Sequence, residues 1–383
     1  MIRRLVILGS TGSIGRSALD VVAKNSSRIE LLGLCAHSNV ELLCSQIEKF
    51  RPKYVALTDN RAYEKFKTLP QSGTVKLLDF HDGIDRLTAI SEADIFLNAI
   101  VGAAGLRASL NVVKGGKRLA LANKESMVIG GELINKLLAQ TGGELIPVDS
   151  EHSAIWQALA AGKRNEIKKI ILTGSGGPLR DTPLADFDKI SKEQALNHPV
   201  WKMGPKITID SATMMNKGLE IIEAMHLFNI PADKIEVVIH PQSIIHSMVE
   251  FVDSSIVAQL SKPDMRLPIN YALFYPERVS SDIGHIDMRD IGSLTFARPD
   301  FGKFPLLQLA YEVARNGGTS PAVFNAANEI AVDAFLKETI KFRIIPDVII
   351  NAVEKHKVIR NPNYEDIVEA DRWGRQIAGE IIG

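Results

Sequence analysis

The sequence predicts an α/β protein in three parts: an N-terminal doubly wound parallel sheet, a central α/β part, and a small helical bundle closing the chain. Three observations predict it. A strand-like apolar run, a glycine turn and a helical stretch open the chain. Short apolar runs then alternate with helix-like segments, and residues 304–315, 321–337 and 347–356 carry helical periodicity. At 383 residues the chain is long enough for two or three domains, each with its own core.

Composition narrows the function classes. With 45 basic and 45 acidic residues and a pI near 7.1, no global field draws nucleic acid or an anionic membrane, so the expected partner is a small molecule. Hydrophobic residues make up 45% of the chain in short runs, none near the ~18 uninterrupted apolar residues of a membrane span, and a soluble protein is expected. Cys35 and Cys44 are too few for a disulfide framework or a zinc site, which fits a reducing cytoplasm. The first strand begins at Arg3, so no signal or transit peptide is expected.

The first strand, Arg4 to Leu8, runs into Gly9-Ser10-Thr11-Gly12-Ser13-Ile14-Gly15 and an apolar helical stretch through Val22. In such a turn Gly9 allows the tight reversal, Gly12 lets the backbone approach a pyrophosphate, and Gly15 lets helix pack on strand. The helix N-terminus offers its amides to the anion. A Rossmann-like dinucleotide site is expected, with a purely structural turn as the alternative. The second strand, Ile29 to Cys35, ends at Ala36-His37-Ser38-Asn39. No carboxylate stands there to repel a ribose 2′-phosphate, and hydroxyl, amide and imidazole can donate to one, so NADP(H) is favoured over NAD. A polar turn closing the strand explains the same residues.

Strands follow at 54–57, 75–78, 94–97 and 118–121, and ligands of such a sheet lie beyond the carboxyl ends of its strands. Two ends are conspicuous: Asn98 to Gly105, and Ala122-Asn123-Lys124-Glu125-Ser126, where amide, amine and acid follow a buried strand. Next comes Glu144-Leu145-Ile146-Pro147-Val148-Asp149-Ser150-Glu151-His152. Extended past Val148, it would point the carboxylates of Asp149 and Glu151 to one side and Ser150 away, a pair that a hard cation such as Mg²⁺ or Mn²⁺ would hold. The alternative is a helix start with Ser150 near the cap and acids in the first turn.

The strand Ile167 to Leu172 leads to Thr173-Gly174-Ser175-Gly176-Gly177-Pro178, a flexible loop able to hold a phosphate. The mostly polar stretch Pro183 to Met203 carries Trp201 and Met203 beside His198-Pro199, which suits either packing or a water-excluding lid. The densest cluster is Asp210-Ser211-Ala212-Thr213-Met214-Met215-Asn216-Lys217-Gly218-Leu219-Glu220. Ser211, Asn216 and Lys217 combine hydroxyl, amide and cation, as a phosphate ester requires, and Glu220 could complete an oxygen cage with Asp149 and Glu151. An ordinary amphipathic helix start explains Met214, Met215 and Leu219 but not Lys217. Further strands are expected at 236–239, 247–251 and 256–260, the last two forming a hairpin through Asp253-Ser254-Ser255. Asn325-Ala326-Ala327-Asn328-Glu329 reads as helix packing and capping, without a catalytic role.

The runs Gly9 to Gly15, Leu121 to Ser126, Pro147 to His152, Leu172 to Pro178, Asp210 to Glu220 and His240-Pro241-Gln242-Ser243 resemble the 1-deoxy-D-xylulose 5-phosphate reductoisomerase family over essentially the whole chain. The resemblance implies an NADPH-dependent enzyme that rearranges 1-deoxy-D-xylulose 5-phosphate, by retro-aldol cleavage and re-addition, and reduces the aldehyde to 2-C-methyl-D-erythritol 4-phosphate for isoprenoid synthesis. It implies that Thr11, Gly12, Ser13, Ile14, Asn39, Asn123, Glu125 and Gly204 contact NADPH. Asp149, Glu151 and Glu220 would bind Mg²⁺ or Mn²⁺ and, with Lys124, form the catalytic group. Ser175, His198, Ser211, Asn216 and Lys217 would hold the sugar phosphate, Glu151 and Glu220 would also face it, and Lys124 and Ser150 would lie nearer the reacting carbons. Trp201 and Met203 match the family's flap.

The implied division is a cofactor domain 1–149, a catalytic, metal-binding and dimerisation domain 150–290 with a flap about 183–205, and a linker with helical domain 291–383. Family members use the central sheet for a homodimer. One departure is that His37-Ser38-Asn39 stands where some relatives carry Gly-Lys-Asn, which removes a lysine from the 2′-phosphate end. Two other readings fit parts of the chain: an NADP-dependent dehydrogenase of another sugar phosphate, and a non-enzymatic NADPH sensor. The first would not need all three carboxylates, and the second would need neither the metal nor the phosphate cluster.

Overall fold

The computed structural model describes residues 2–383. In chain order the elements begin β1 (Arg3–Leu8), α1 (Ser13–Lys24), β2 (Ile29–Ala36), α2 (Val40–Phe50), β3 (Tyr54–Leu57), α3 (Asn60–Lys67) and β4 (Lys76–Leu77). They continue α4 (Gly83–Thr88), β5 (Ile95–Asn98), α5 (Gly105–Lys114), β6 (Arg118–Leu121), α6 (Lys124–Thr141) and β7 (Glu144–Pro147). Next are α7 (Ser150–Ala158), β8 (Ile167–Gly174), α8 (Lys192–Leu196), α9 (Pro205–Ala212), α10 (Met215–Phe228), β9 (Ile235–Ile239), β10 (Ile245–Phe251) and β11 (Ile256–Leu260). The chain ends with α11 (Arg266–Phe274), α12 (Pro305–Asn316), α13 (Ser320–Leu336), α14 (Ile344–Glu354) and α15 (Tyr364–Ile382). Contacts divide it into two units, one of residues 1–123, 133–149 and 264–283, the other of 124–132, 150–263 and 284–383. Helix α6 contributes to both and is broken at Gly130.

The first unit is the expected doubly wound sheet. Its order is β4-β3-β2-β1-β5-β6-β7, every pair parallel. The strands are near-continuous apolar runs, with Val6, Ile7, Leu8, Leu34, Phe96 and Leu97 fully buried, as a sheet covered on both faces requires. Strand order reverses at β1, so the turn after β1 lies at the topological switch point. Its glycines are sterically required. Gly9 has φ +86°, and a Cβ on Gly15 would stand 2.3 Å from the Gly9 carbonyl oxygen. Helix α11 packs on α1 in this unit, with the Arg3 and Arg28 guanidinium groups 5.2 and 4.9 Å from the Phe274 ring centroid.

The second unit is built on a mixed sheet ordered β11-β10-β8-β9, with β8 and β9 parallel and β10 antiparallel to both its neighbours. The hairpin through Asp253-Ser254-Ser255 is present, and Asp253 Oδ1 accepts from the Ser255 amide at 2.9 Å. Helix α7 covers β10 and β11. The three periodic stretches near the C-terminus are α12, α13 and α14, joined by α15, whose start is fixed by a reciprocal Asn363 and Asp366 cap. Helix α13 lies against α9, α14 and α15, and its middle is buried almost all round.

One local expectation is corrected. The backbone does not stay extended through Asp149 and Glu151. The ladder ends where the Val148 amide donates to Leu121, and α7 opens at Ser150 with Glu151 in its first turn, where an acid is favoured by the helix dipole. The helix-start alternative is the one realised.

Candidate active site

Helices α9 and α10 meet at Met214, which takes φ +59° so that the chain can turn without a gap. On α10, Asn216 and Glu220 are four residues apart and Lys217 and Glu220 three, which places them on one face. Glu220 has no exposed surface, and a carboxylate there needs partners. It accepts from Asn216 Nδ2, from Lys217 Nζ, and from Lys124 Nζ at 3.4 Å. Lys124 Nζ also donates to Asn216 Oδ1 at 2.6 Å, and Lys217 Nζ lies 3.0 Å from Glu151 Oε1. Ser150 Oγ donates to Glu151. Both lysines are buried, at 6% and 4% exposure, so their charges are committed to this cluster.

Asp149, Glu151 and Glu220 each offer a carboxylate oxygen within 4.8 Å of the others. The donor set is all hard oxygen, with no thiolate or imidazole, which fits Mg²⁺ or Mn²⁺ and disfavours zinc. Three carboxylates against the ammonium groups of Lys124 and Lys217 leave an excess of negative charge for a divalent ion to neutralise.

A second group forms where β8 ends. A Cβ on Gly174 would come 3.0 Å from Lys217 Cε, and one on Gly177, with φ +72°, would come 2.3 Å from the Ser211 carbonyl oxygen. The glycines therefore let this loop lie against both α9 and α10, which brings Ser175 to the neighbourhood of Ser211 and Lys217. Ser175 Oγ is 3.1 Å from His198 Nε2. His198 Nδ1 accepts from the Val200 and Trp201 amides at 3.2 and 2.9 Å, so the ring proton sits on Nε2 and points at Ser175. Burial pushes the His198 pKa below its ordinary value, which keeps the ring neutral near pH 7. Trp201 contacts the His246 ring at 6.2 Å, and Met203 is half-buried.

The dinucleotide candidates lie on the sheet unit, at the start of α6 and at the N-cap of α9. Thr11, Gly12, Ser13 and Ile14 form the turn and first residues of α1; Gly12 is the N-cap and supplies no side chain to the helix amides. Asn39 caps α2, its Oδ1 accepting from the Leu42 amide at 3.1 Å, while His37 Nδ1 lies 2.9 Å from Thr58 Oγ1. Asn123 Nδ2 donates to the Ile100 and Gly102 carbonyls, bracing the loop after β5. Glu125 is buried and bound by Lys206 Nζ at 2.9 Å; burial pushes its pKa up, and Lys206 outweighs that, holding it below the ordinary range. Gly204 is the extended N-cap of α9. The side chains of Asn39, Asn123 and Glu125 thus carry structural duties as well.

Sequence reasoning missed the layer behind the carboxylates. His152 Nε2 faces the Glu220 carbonyl oxygen at 3.0 Å, so Nε2 donates, and Nδ1 lies 3.1 Å from Glu223 Oε2. It also missed Lys206, although Lys206 and Asp210 stand four residues apart, a spacing that could have revealed the pair.

A glycine turn at the switch strand of a parallel sheet, in a chain that also carries a carboxylate cage for a hard cation, defines a class: metal-using oxidoreductases on a dinucleotide fold. Comparisons specify it further. Family profiles described as 1-deoxy-D-xylulose 5-phosphate reductoisomerase match residues 5–131, as its C-terminal domain residues 145–228, and as DXP reductoisomerase C-terminal domain residues 260–377. The 1-deoxy-D-xylulose 5-phosphate reductoisomerase of Chlorobium phaeovibrioides is 50% identical, with 99% of each chain covered. That of Halothermothrix orenii is 47% identical over 100% of both. The Zymomonas mobilis enzyme, solved with NADPH, superposes with TM-score 0.93 at 41% identity, covering 100% of this chain and 99% of that one. A DOX-P reductoisomerase solved with NADPH, fosmidomycin and magnesium gives TM-score 0.93 at 40% identity, covering 100% of this chain and 98% of that one. The chain belongs to the 1-deoxy-D-xylulose 5-phosphate reductoisomerase family.

Proposed function

We infer that the protein converts 1-deoxy-D-xylulose 5-phosphate to 2-C-methyl-D-erythritol 4-phosphate, using NADPH and Mg²⁺ or Mn²⁺, in the non-mevalonate route to isoprenoid precursors. The observation that carries this is the cage of Asp149, Glu151 and Glu220 interlaced with Lys124, Asn216 and Lys217, on a chain about half identical to named reductoisomerases. Neither a simple sugar-phosphate dehydrogenase nor a sensor needs that cage.

A bound divalent ion supplies Lewis acidity to the ketone and neighbouring hydroxyl oxygens of the substrate. The chain's own residues do the rest. Lys124, held by Asn216 and Glu220, places an ammonium where a carbon-skeleton rearrangement develops oxyanion charge, with Ser150 beside the same carboxylates. Lys217, Asn216, Ser211, Ser175 and the neutral Nε2–H of His198 form the phosphate and hydroxyl end. Binding energy from that remote phosphate drives closure of the flap, about 183–205, whose Trp201 and Met203 exclude water while reactive fragments exist. Thr11, Gly12, Ser13 and Ile14 receive the dinucleotide pyrophosphate, and Asn39 receives the 2′-phosphate. Asn123, Glu125 and Gly204 complete the NADPH contacts.

These roles divide near 149 and 290 into cofactor, catalysis and association, and a helical cap, although residues 264–283 pack within the sheet unit and 124–132 within the second. Edge strand β11, with Ile256 53% exposed, and the exposed Val252 beside it form the homodimer face. A monomer in sedimentation at micromolar concentration would contradict this. The protein works in the cytoplasm. The test of the reaction is product identity: incubation with 1-deoxy-D-xylulose 5-phosphate, NADPH and Mg²⁺ yields the branched 2-C-methyl-D-erythritol 4-phosphate by NMR. An unbranched reduced sugar phosphate would exclude the rearrangement.

A further inference from the structure

The Asn325-Ala326-Ala327-Asn328-Glu329 run, which looks like ordinary helix packing, sits at the centre of a buried polar network within the second unit. Lys206 and Asp210, four residues apart on α9, are the link. Lys206 Nζ lies 2.9 Å from Glu125 Oε1 at the start of α6 and 2.9 Å from Asp210 Oδ2. Asn328 Nδ2 on α13 donates to Asp210 Oδ1 at 2.8 Å. The next residue of α13, Glu329, accepts from Asn325 Nδ2 at 2.9 Å and from Arg375 Nη2 of α15 at 2.6 Å, and Arg375 Nε is tied to Asp371 at 2.7 Å. Glu125, Asp210 and Asn328 are 6%, 1% and 0% exposed. Asp210, Glu125 and Glu329 outweigh the desolvation of Lys206 and hold its ammonium above its ordinary pKa, so it stays charged.

The two ends of this network each touch the reaction site through one peptide bond. Glu125 follows Lys124, whose ammonium lies among Asn216 and Glu220, and Asp210 precedes Ser211. Helix α9 also follows Gly204 and ends where Met214 turns the chain into α10. Successive helix residues point about 100° apart, so loss of the Asp210 anchor lets α9 rotate and carries Ser211 off its line.

We propose that Asn328 of the C-terminal bundle, acting through Asp210 and Lys206, is a positioning residue that sets the geometry of Lys124 and Ser211 in the reaction. Asn328 makes its side-chain hydrogen bond to Asp210, which is itself assigned to none of substrate, metal or NADPH. Its role is to keep the Asp210 carboxylate oriented so that Lys206 bridges α9 to the first turn of α6. This rests on the reductoisomerase reading of the site.

The test compares Asn328→Leu, Asp210→Asn, the double variant and Asp333→Gly in the full-length protein. Asp333 is exposed on the same helix and paired with Lys337, so a glycine there weakens the helix without touching the buried network, which gives a control for general loss of stability. We expect Asn328→Leu to lower kcat about tenfold, the scale on which slight misplacement of reacting groups acts. The control should keep wild-type kcat. The double variant should be no slower than Asp210→Asn alone, since both remove the same link. Wild-type kcat in Asn328→Leu, an equal loss in the control, or multiplying losses in the double variant would each overturn the positioning role. Should Asn328→Leu fail to fold, Asn328→Ser, too short to reach Asp210, is read by the same criteria. A wild-type protein inert toward the sugar phosphate would instead overturn the functional reading together with this one.

Discussion

Glu220 is a carboxylate with no exposed surface, held by an amide and two ammonium groups, and its burial defines what a substitution there can do. Glu220→Gln keeps shape but removes one charge from the cage and turns one acceptor oxygen into an amide donor facing Lys217 or Asn216. Activity should fall on the order of a hundredfold or more, with NADPH affinity nearly unchanged and a lower Tm, since two buried ammonium groups lose a counter-charge. Full activity in the variant would remove Glu220 from the metal site. A different residue governs acid stability. Burial pushes His226, on the last turn of α10, down to about 4. Below its ordinary value near 6.5 the unfolded chain takes up a proton that the folded ring refuses, so stability falls as pH drops from about 6.5 toward 4 and is unaffected above that window. In His226→Gln the fall of Tm across this range should be shallower than in wild type, and parallel profiles would exclude His226 as its source. At this scale the sequence singled out Asp149, Glu151, Glu220, Lys124, Asn216 and Lys217 by residue type and by family resemblance, and the fold brings these side chains together. The supports were not legible: Asn328 and Asp210 are separated by 118 positions, and no periodicity links them.

The glycine turn separates two kinds of glycine within one element. A Cβ on Gly15 would collide with the Gly9 carbonyl oxygen and the Ser10 backbone, whereas one on Gly12 would rest 3.4 Å from the Gly9 oxygen, in ordinary contact. Gly15→Ala should therefore cost about 1–3 kcal/mol of stability. Gly12→Ala should leave stability within about 0.5 kcal/mol while weakening NADPH about tenfold, because a methyl group there adds bulk to the backbone that a pyrophosphate is expected to approach. Denaturant titration and NADPH fluorescence titration read the two effects, and equal behaviour of the two variants would contradict the assignment of the turn. Elements announced by period were legible, including the alternating strands, the hairpin and helices α12 to α14. Those decided by distant partners were not. Helix α11 is placed by its packing on α1 and by Phe274 beneath Arg3 and Arg28, and the turn from β7 into α7 was open between strand and helix until tertiary structure settled it.

Across the whole molecule, the order of motifs along the chain carries the functional argument: glycine turn, lysine after β6, acids after β7, glycine loop after β8, then the α9 and α10 cluster. Among the described residues no helix is long and apolar enough to cross a membrane, and charge is balanced, so neither feature competes with a small-molecule site. The central claim is that a hard divalent ion on Asp149, Glu151 and Glu220 is required for turnover of 1-deoxy-D-xylulose 5-phosphate. It is tested most directly by following NADPH absorbance with that substrate in protein stripped of divalent ions, then after adding Mg²⁺ or Mn²⁺. Oxidation should be absent in the stripped protein and return with either ion. Equal rates with and without metal, or a folded, NADPH-binding, metal-loaded protein that stays inert, would contradict the account.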